Sequence, residues 1–376
     1  GQGAVPWYNG ASFAKSDIVV VSINYRLGAL GFTDLSRFGE DYATSGINGV
    51  LDQIAALEWV RDNIAGFGGD PQQVTIAGES AGGFSVATLL GSPRAQGLFQ
   101  RAIPQSGAAH DTLTREVGAR VADLLLEELQ VDSMAALQAK SPLDILDAQN
   151  RADARYYKEG IGNGVMAFYP VEGDNEVLPE PLQTHLAAGV GADIPVLTGT
   201  NKDEATLFIM KKVSEESLLR QATGYGGGER LVNAYRQLYP DASTTDISIK
   251  LSTDFTFKIP ALRLAELRAS LGANTWLYQF DWESRAPHLK ATHALEIPFT
   301  FNTLGSAGVD IFIGEGELPQ ALADEMHQVW TDFIRGDSPG WPAYELDKRA
   351  VKHFNTQSSL VEDGYADINA AWEGIR

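Results

Sequence analysis

Cysteine is absent from all 376 residues, which excludes disulfides, thiolate metal sites and a cysteine nucleophile together. Long apolar runs are absent too. No stretch of about 18 or more apolar residues occurs, and the most apolar short run, Ile18 to Ile23, has the length of a strand, so no helix of the sequence is expected to span a membrane. Basic residues are scarce: 29 Lys and Arg face 49 Asp and Glu, a net charge of −20 at pH 7, and no run of Lys and Arg makes a local basic footprint. A carboxylate excess of this size repels polyphosphates and anionic lipid, so neither nucleic acid nor a membrane surface is an expected partner. An initiator methionine is lacking as well. The sequence starts at Gly1, and soon after it enters a fully apolar, β-branched run of the kind buried in the middle of a parallel sheet. The expectation is that the native N-terminus lies upstream. What the chain has is core material: 44% apolar residues, with aromatics from Trp7 to Trp372, exclude disorder for most of a length that suits one large or two ordinary domains.

The order of local patterns points to a layered α/β architecture. Ile18-Val-Val-Val-Ser-Ile-Asn24 reads as a strand buried on both faces. A Gly-rich loop follows, and then Val50, Leu51, Ile54, Leu57, Val60 and Ile64 recur at helical spacing until the breaker cluster Gly66-Phe-Gly-Gly-Asp-Pro71. Val74 to Ala77 reads as a second strand, Phe84 to Leu90 as a helix and Ala102 to Gln105 as a third strand. Strand, helix, strand, turn, helix, strand is the signature of a doubly wound layer. From Leu113 the texture turns helical, with Val117 to Leu129 and Met134 to Ala139, and strands return at Ile194–Gly199 and Thr275–Phe280. Helical blocks cover Glu215 to Tyr239, Pro260 to Leu271 and Leu318 to Ile334. No repeat and no low-complexity segment interrupts them.

Gly78-Glu79-Ser80-Ala81-Gly82 has the form G-x-S-x-G. A short apolar strand precedes it and a helix of small residues follows, which is the strand, turn, helix setting of a nucleophile elbow. Small flanking residues let the turn tighten until the hydroxyl of Ser80 stands clear, and the helix behind it aims free N–H groups and a positive dipole end at that hydroxyl. A serine needs a base, and the base needs a carboxylate to orient it. Of six histidines, His110, His185, His288, His327 and His353 lie in polar or helical segments, where a solvated surface histidine is the ordinary reading. His293 lies in a loop beyond the strand Thr275–Phe280, where sites of open α/β sheets gather. Asp203 and Glu204 both end the strand at Ile194–Gly199, and both also suit a simple helix cap. Serine, then acid, then histidine is the order of the α/β-hydrolases.

Longer blocks carry a resemblance. Val19-Val-Val-Ser-Ile-Asn-Tyr-Arg-Leu-Gly28, Phe67-Gly-Gly-Asp-Pro71, Val74-Thr-Ile-Ala-Gly-Glu-Ser-Ala-Gly-Gly83, Gln105-Ser-Gly107, Asn201-Lys-Asp-Glu204 and His293-Ala-Leu-Glu-Ile-Pro298 together resemble the type B carboxylesterases, the cholinesterase-like α/β-hydrolases, and among them bacterial p-nitrobenzyl esterases. The resemblance implies an α/β-hydrolase fold with a mostly parallel sheet, residues 1–376 forming one catalytic domain with helical insertions around 111–190 and 207–272. It implies Ser80 as nucleophile, Glu204 rather than Asp203 as the acid, His293 as general base and then acid, and the backbone N–H of Ala81 as an oxyanion donor. Glu79 resembles the family's buried carboxylate beside the nucleophile. Ser106 matches a position able to hydrogen-bond around Glu204. The implied substrates are neutral, fairly apolar carboxylic esters, with carbamates as a further class, entering a gorge walled by the helical insertions.

One departure stands out. The H-G-G-type loop that supplies the family's other oxyanion N–H groups would precede the stretch resembled by Gly1 to Gly10, and it is not in this sequence. Loss of one oxyanion donor costs about 10²–10³ in turnover. The expected partner is therefore an N-terminal fragment of the same protein, beside a small ester substrate, in an otherwise monomeric enzyme. No cofactor is expected: G-x-x-x-x-G-K-[ST] and H-E-x-x-H are absent, Gly224 to Gly228 reads as a loop, and His293 with Glu296 lacks further metal ligands. The cytoplasm of a bacterial cell is the expected location, with secretion left open. Alternatives are a catalytically silent cholinesterase-like interaction protein and a thioesterase or amidase using the same triad.

Overall fold

The computed structural model describes residues 3–108, 112–161, 166–173 and 176–376. Six strands form one sheet whose spatial order equals their order in the chain: β1 (Thr75–Glu79), β2 (Arg101–Gln105), β3 (Val196–Asn201), β4 (Thr275–Phe280), β5 (Val351–Phe354) and β6 (Ser359–Val361). The first five run parallel and β6 returns antiparallel to β5. The fold is the mostly parallel α/β sheet that the sequence implies. The last two strands lie beyond the sequence reading, which ends its strands at Phe280. At four and three residues they are too short for periodicity to register.

Helices fill the connections. α1 (Asn48–Asn63) precedes β1, and α2 (Ala81–Leu90) leaves it. Between β2 and β3 lie α3 (Arg115–Leu129) and α4 (Pro142–Glu159), packed through Leu124, Leu125, Ala148, Ala152 and Tyr156. Each starts at a side-chain cap, Thr114 for α3 and the Ser141–Asp144 capping box for α4. Between β3 and β4 come α5 (Glu215–Gly224), α6 (Gly228–Leu238), α7 (Thr244–Thr253) and α8 (Ile259–Ser270). The single block read from Glu215 to Tyr239 is two helices, because Gly226 turns the chain at φ 92°. α9 (Gln320–Arg335) precedes β5.

Alternation along the strands distributes the sheet over two cores. Ala102, Val196 and Leu277 face one cluster together with Val50 and Ile54 of α1 and Leu90 of α2. Their immediate neighbours Ile103, Leu197 and Tyr278 face the other, with Met326, Trp330 and Phe333 of α9. Burial on both faces is what forces the continuous apolar character of these strands. Among the described residues no helix is long and apolar enough to cross a membrane.

The segment from Ile18 to Asn24 departs from its prediction. It belongs to no strand, and Val19, Val20, Val21 and Ile23 are 38–43% exposed. It is tied at its ends: Ile18 N–H donates to the Phe13 carbonyl at 3.3 Å, and Arg26 binds Asp52 through main-chain and side-chain N–H groups. Between them, residues 19–25 make no backbone hydrogen bond to a described residue. β-branched side chains favour an extended backbone, but a strand exists only once a neighbour accepts its N–H and C=O groups.

Candidate active site

Three strand ends and two loops build the site. β1 runs into Ser80, whose backbone sits at φ 56°, ψ −121°, a conformation that L-residues avoid. The turn closes because its glycines allow it. A Cβ on Gly78 would lie 2.4 Å from the backbone of Gly82, and one on Gly83 would lie 2.5 Å from the Gln105 carbonyl. Ser80 N–H donates to the Gln105 carbonyl at 3.0 Å, and the Ser80 carbonyl accepts from Phe84 N–H at 2.9 Å, starting α2. Ala81 is the first residue of α2, so its N–H is one of the groups that a helix leaves without an internal acceptor.

The end of β3 supplies the acid. Glu204 is fully buried in the turn after Asn201; its Oε1 accepts from Asn201 N–H at 2.7 Å, and its Oε2 lies 2.6 Å from His293 Nδ1. Asp203 points elsewhere, with Oδ2 unpartnered among the described residues. The parallel register pairs Asn201 with Phe280, and the loop leaving β4 folds back so that His293 N–H meets the Glu204 carbonyl at 3.3 Å. The imidazole is packed between Phe208 and Phe257, at ring distances of 5.3 and 4.8 Å. Phe257 also stacks on Phe84, one turn beyond Ser80.

On its other side, His293 Nε2 stands 3.1 Å from Oε1 of Glu79. The Ser80 hydroxyl forms no hydrogen bond with a described residue. The structure thus joins Glu204 to His293 and places Nε2 on the residue preceding Ser80. Ser106 is fully buried at φ 45°, donates its N–H to Gly199 and has an unpartnered hydroxyl among the described residues, so no hydrogen bond links it to Glu204.

A third carboxylate completes the cluster. Glu296, wholly buried, accepts from Asn201 Nδ2 at 2.7 Å and from Gln105 Nε2 at 3.2 Å, and Gln105 in turn accepts from Trp330 Nε1 at 3.0 Å. Sequence reasoning weighs Glu296 only as a metal partner and does not single out Asn201 or Gln105. The signal was available, since Gln105 and Asn201 are the last residues of β2 and β3, where groups of an open α/β sheet converge.

Electrostatics follow from crowding three carboxylates around one imidazole. Burial disfavours the imidazolium, but Glu79 and then Glu204 outweigh it and push the His293 pKa up to about 9. Burial raises Glu79 to about 8, with His293 opposing and Glu296 and Glu204 reinforcing the rise. Glu296 goes up to about 7, again by burial first and Glu204 second. Glu79 and His293 are thus both shifted upward and titrate together as a pair.

Three of the remaining histidines differ from their surface assignment. His185 is buried, His327 Nδ1 contacts the Thr300 carbonyl at 2.8 Å, and His353 Nδ1 pairs with Asp281 at 2.7 Å within β5. His288 is exposed, and His110 lies outside the described residues. Trp7 packs edge-on against Phe312 and donates to the Ala307 carbonyl. Among the described residues no group of three or more histidines and carboxylates is arranged to hold a metal ion.

The carboxylesterase family model matches residues 1–369. The chain belongs to the carboxylesterase family. It is 36% identical to the para-nitrobenzyl esterase of Bacillus subtilis, with 96% of this chain and 74% of the relative covered. It is 33% identical to the acylcarnitine hydrolase of Rattus norvegicus, over 92% of this chain and 64% of that one. Among solved structures, a carboxylesterase of Geobacillus stearothermophilus superimposes with a TM-score of 0.88 at 37% identity, covering 99% of this chain and 79% of the other. Each of these relatives is longer than the chain that matches it.

Proposed function

We propose that this carboxylesterase chain hydrolyses carboxylic esters through Ser80, His293 and Glu204. The observation that carries the reading is the buried Glu204 carboxylate 2.6 Å from His293 Nδ1, next to a serine held at positive φ on a strand-to-helix turn. In the neutral imidazole Glu204 keeps the proton on Nδ1 and leaves Nε2 free to accept. The Ser80 hydroxyl gives its proton to Nε2 as Oγ bonds to the ester carbonyl carbon. The tetrahedral intermediate's oxygen takes a hydrogen bond from Ala81 N–H. Collapse expels the alcohol, which takes the proton back from His293. Water then repeats the sequence on the acyl-enzyme and releases the acid.

Neutral, fairly apolar esters, with carbamates as slow acylating analogues, are the substrates, and the helical segments at 111–190 and 207–272 form the cap over their approach. A surface carrying 20 excess negative charges disfavours anionic esters at low salt. Mixing the enzyme with p-nitrophenyl acetate gives a burst of nitrophenol, and an organophosphate adds one adduct that peptide mass spectrometry locates on Ser80. An adduct on any other serine overturns the assignment.

Glu79 sets the working pH. Its negative charge at Nε2 favours the imidazolium, which cannot act as base, so Glu79→Gln lowers the His293 pKa and moves the acid limb of the kcat/KM profile to lower pH, by about one unit or more. An unmoved limb, or one displaced upward, refutes this role.

A further inference from the structure

α7 runs into α8 through one wide turn. Asp254–Lys258 is π-helical, and Ile259 N–H donates to the Asp254 carbonyl five residues back. Pro260 accounts for where the turn widens: it has no N–H to give, and its ring crowds the carbonyl of Thr256, four residues earlier. The wide turn sends its two aromatic rings into different clusters. Phe255 stacks on Tyr225 at 3.9 Å and lies 5.9 Å from Trp372. Phe257 lies 4.8 Å from the His293 ring and stacks on Phe84. Any displacement of the turn therefore moves a ring that covers the imidazole, and π-turns inside α-helices recur at functional sites.

The turn is held by charge. Asp254 and Lys258, its first and last residues, are both buried, with Lys258 Nζ 3.4 Å from Asp254 Oδ1. Asp254 Oδ2 accepts from the Tyr235 hydroxyl of α6, and that hydroxyl accepts in turn from Trp372 Nε1 at 2.7 Å, just past the short helix Ala366–Ala371. Burial and then the Asp254 charge hold the Tyr235 phenol far above its usual pKa, so it stays protonated and remains the donor. Lys250 of α7 is a second cation facing Asp254, Asp203 faces Lys250 from the end of β3, and Tyr239 and Tyr365 are the other titratable neighbours. A carboxylate this buried needs a partner on each oxygen, and here they come from the turn itself and from α6.

We propose that Tyr235 is a positioning residue for ester hydrolysis: bridging Asp254 and Trp372, it fixes the π-turn and so keeps Phe257 against the His293 imidazole. The inference rests on the catalytic role given to His293. The charges acting on that imidazole are Glu79, Glu204 and Glu296, none of them on the π-turn, so the turn acts on it by packing. Loosened packing lets water reach the ring, which favours the imidazolium and leaves less of the base at a given pH.

Tyr235→Phe removes one hydroxyl and leaves the ring in place. The expected result is an acid limb of the kcat/KM profile for p-nitrophenyl acetate moved up by about half a unit, opposite in sign to Glu79→Gln, with kcat down about tenfold and KM unchanged. Asp254→Asn weakens the same bond from the other side and shifts the limb in the same sense, which keeps the inference testable if Tyr235→Phe does not fold. Phe257→Leu leaves the clamp intact and also raises the limb. The double variant Tyr235→Phe, Phe257→Leu raises it no further than Phe257→Leu alone, because both act through one contact. Leu124→Ala, in the core between α3 and α4, lowers the melting temperature and leaves the limb in place. An unmoved or lowered limb in Tyr235→Phe overturns the inference, as do additive shifts in the double variant or an equal shift in Leu124→Ala. Organophosphate labelling of the parent separates this inference from the triad. No adduct on Ser80 removes the catalytic reading and this inference with it, whereas an adduct on Ser80 with an unmoved limb in Tyr235→Phe removes this inference alone.

Discussion

Ser80→Ala lowers kcat for p-nitrophenyl acetate by about 10⁶-fold, the scale for removing the nucleophile of a serine hydrolase, and abolishes the burst. The effect is this large because no other group can form the acyl-enzyme: the neighbouring Glu79 is occupied at His293 Nε2, and Ser106 is buried away behind β2 with its N–H on Gly199. Little of the loss comes from unfolding. Ser80 spends its φ of 56° against the preference of an L-residue, which costs about 1–3 kcal/mol. Ser80→Gly removes that strain along with the hydroxyl, so it is as inactive as the alanine variant yet melts higher than the parent. A glycine variant that melts lower would show that the turn is relaxed rather than strained. Near-full activity in either variant ends the case for Ser80.

Glu204→Gln lowers kcat by about 10⁴-fold, comparable to replacing the triad carboxylate by its amide in a serine protease. The carboxylate holds two donors at once, Asn201 N–H on Oε1 and His293 Nδ1 on Oε2. A glutamine keeps one oxygen for Asn201 and turns its NH₂ to the ring. That amide donates to Nδ1, moves the imidazole proton to Nε2 and leaves no acceptor for the Ser80 proton. Glu204→Asp is one methylene short of spanning both donors and loses less than the amide. Activity within tenfold of the parent in Glu204→Gln would transfer the orienting role to another carboxylate, and Asp203, with its unpartnered Oδ2, would be the first to exchange.

How much of this was legible in the residues depends on the range of the interaction involved. The elbow was legible, because its causes are local: an apolar run of period two, glycines where a Cβ would strike Gly82 or Gln105, and small residues opening α2. The strand Thr275–Phe280 was read to the residue for the same reason. The choice between Asp203 and Glu204 had no local signal. Both lie past the same strand end, and only the pairing of Asn201 with Phe280, with the return of the β4 loop, turns one of them to His293 and the other away. Glu296 was invisible as a member of the cluster because its partners, Gln105 and Asn201, are distant in sequence. His353 looked like a surface histidine because β5 is four residues long and its partner Asp281 lies just past the end of the neighbouring strand β4.

The segment Ile18 to Asn24 separates the two kinds of information most sharply. Its composition dictates a strand in the middle of a sheet, through β-branched stiffness and apolar side chains on both faces. Whether it is one is a matter of neighbours, and here residues 19–25 make no backbone hydrogen bond to a described residue. Backbone preference and burial pattern reside in each residue and its nearest chain neighbours, so they can be read along the chain. Hydrogen-bond partners and the upward pKa shifts of Glu79 and His293 are properties of groups brought together from far apart, and they come into being only with the fold.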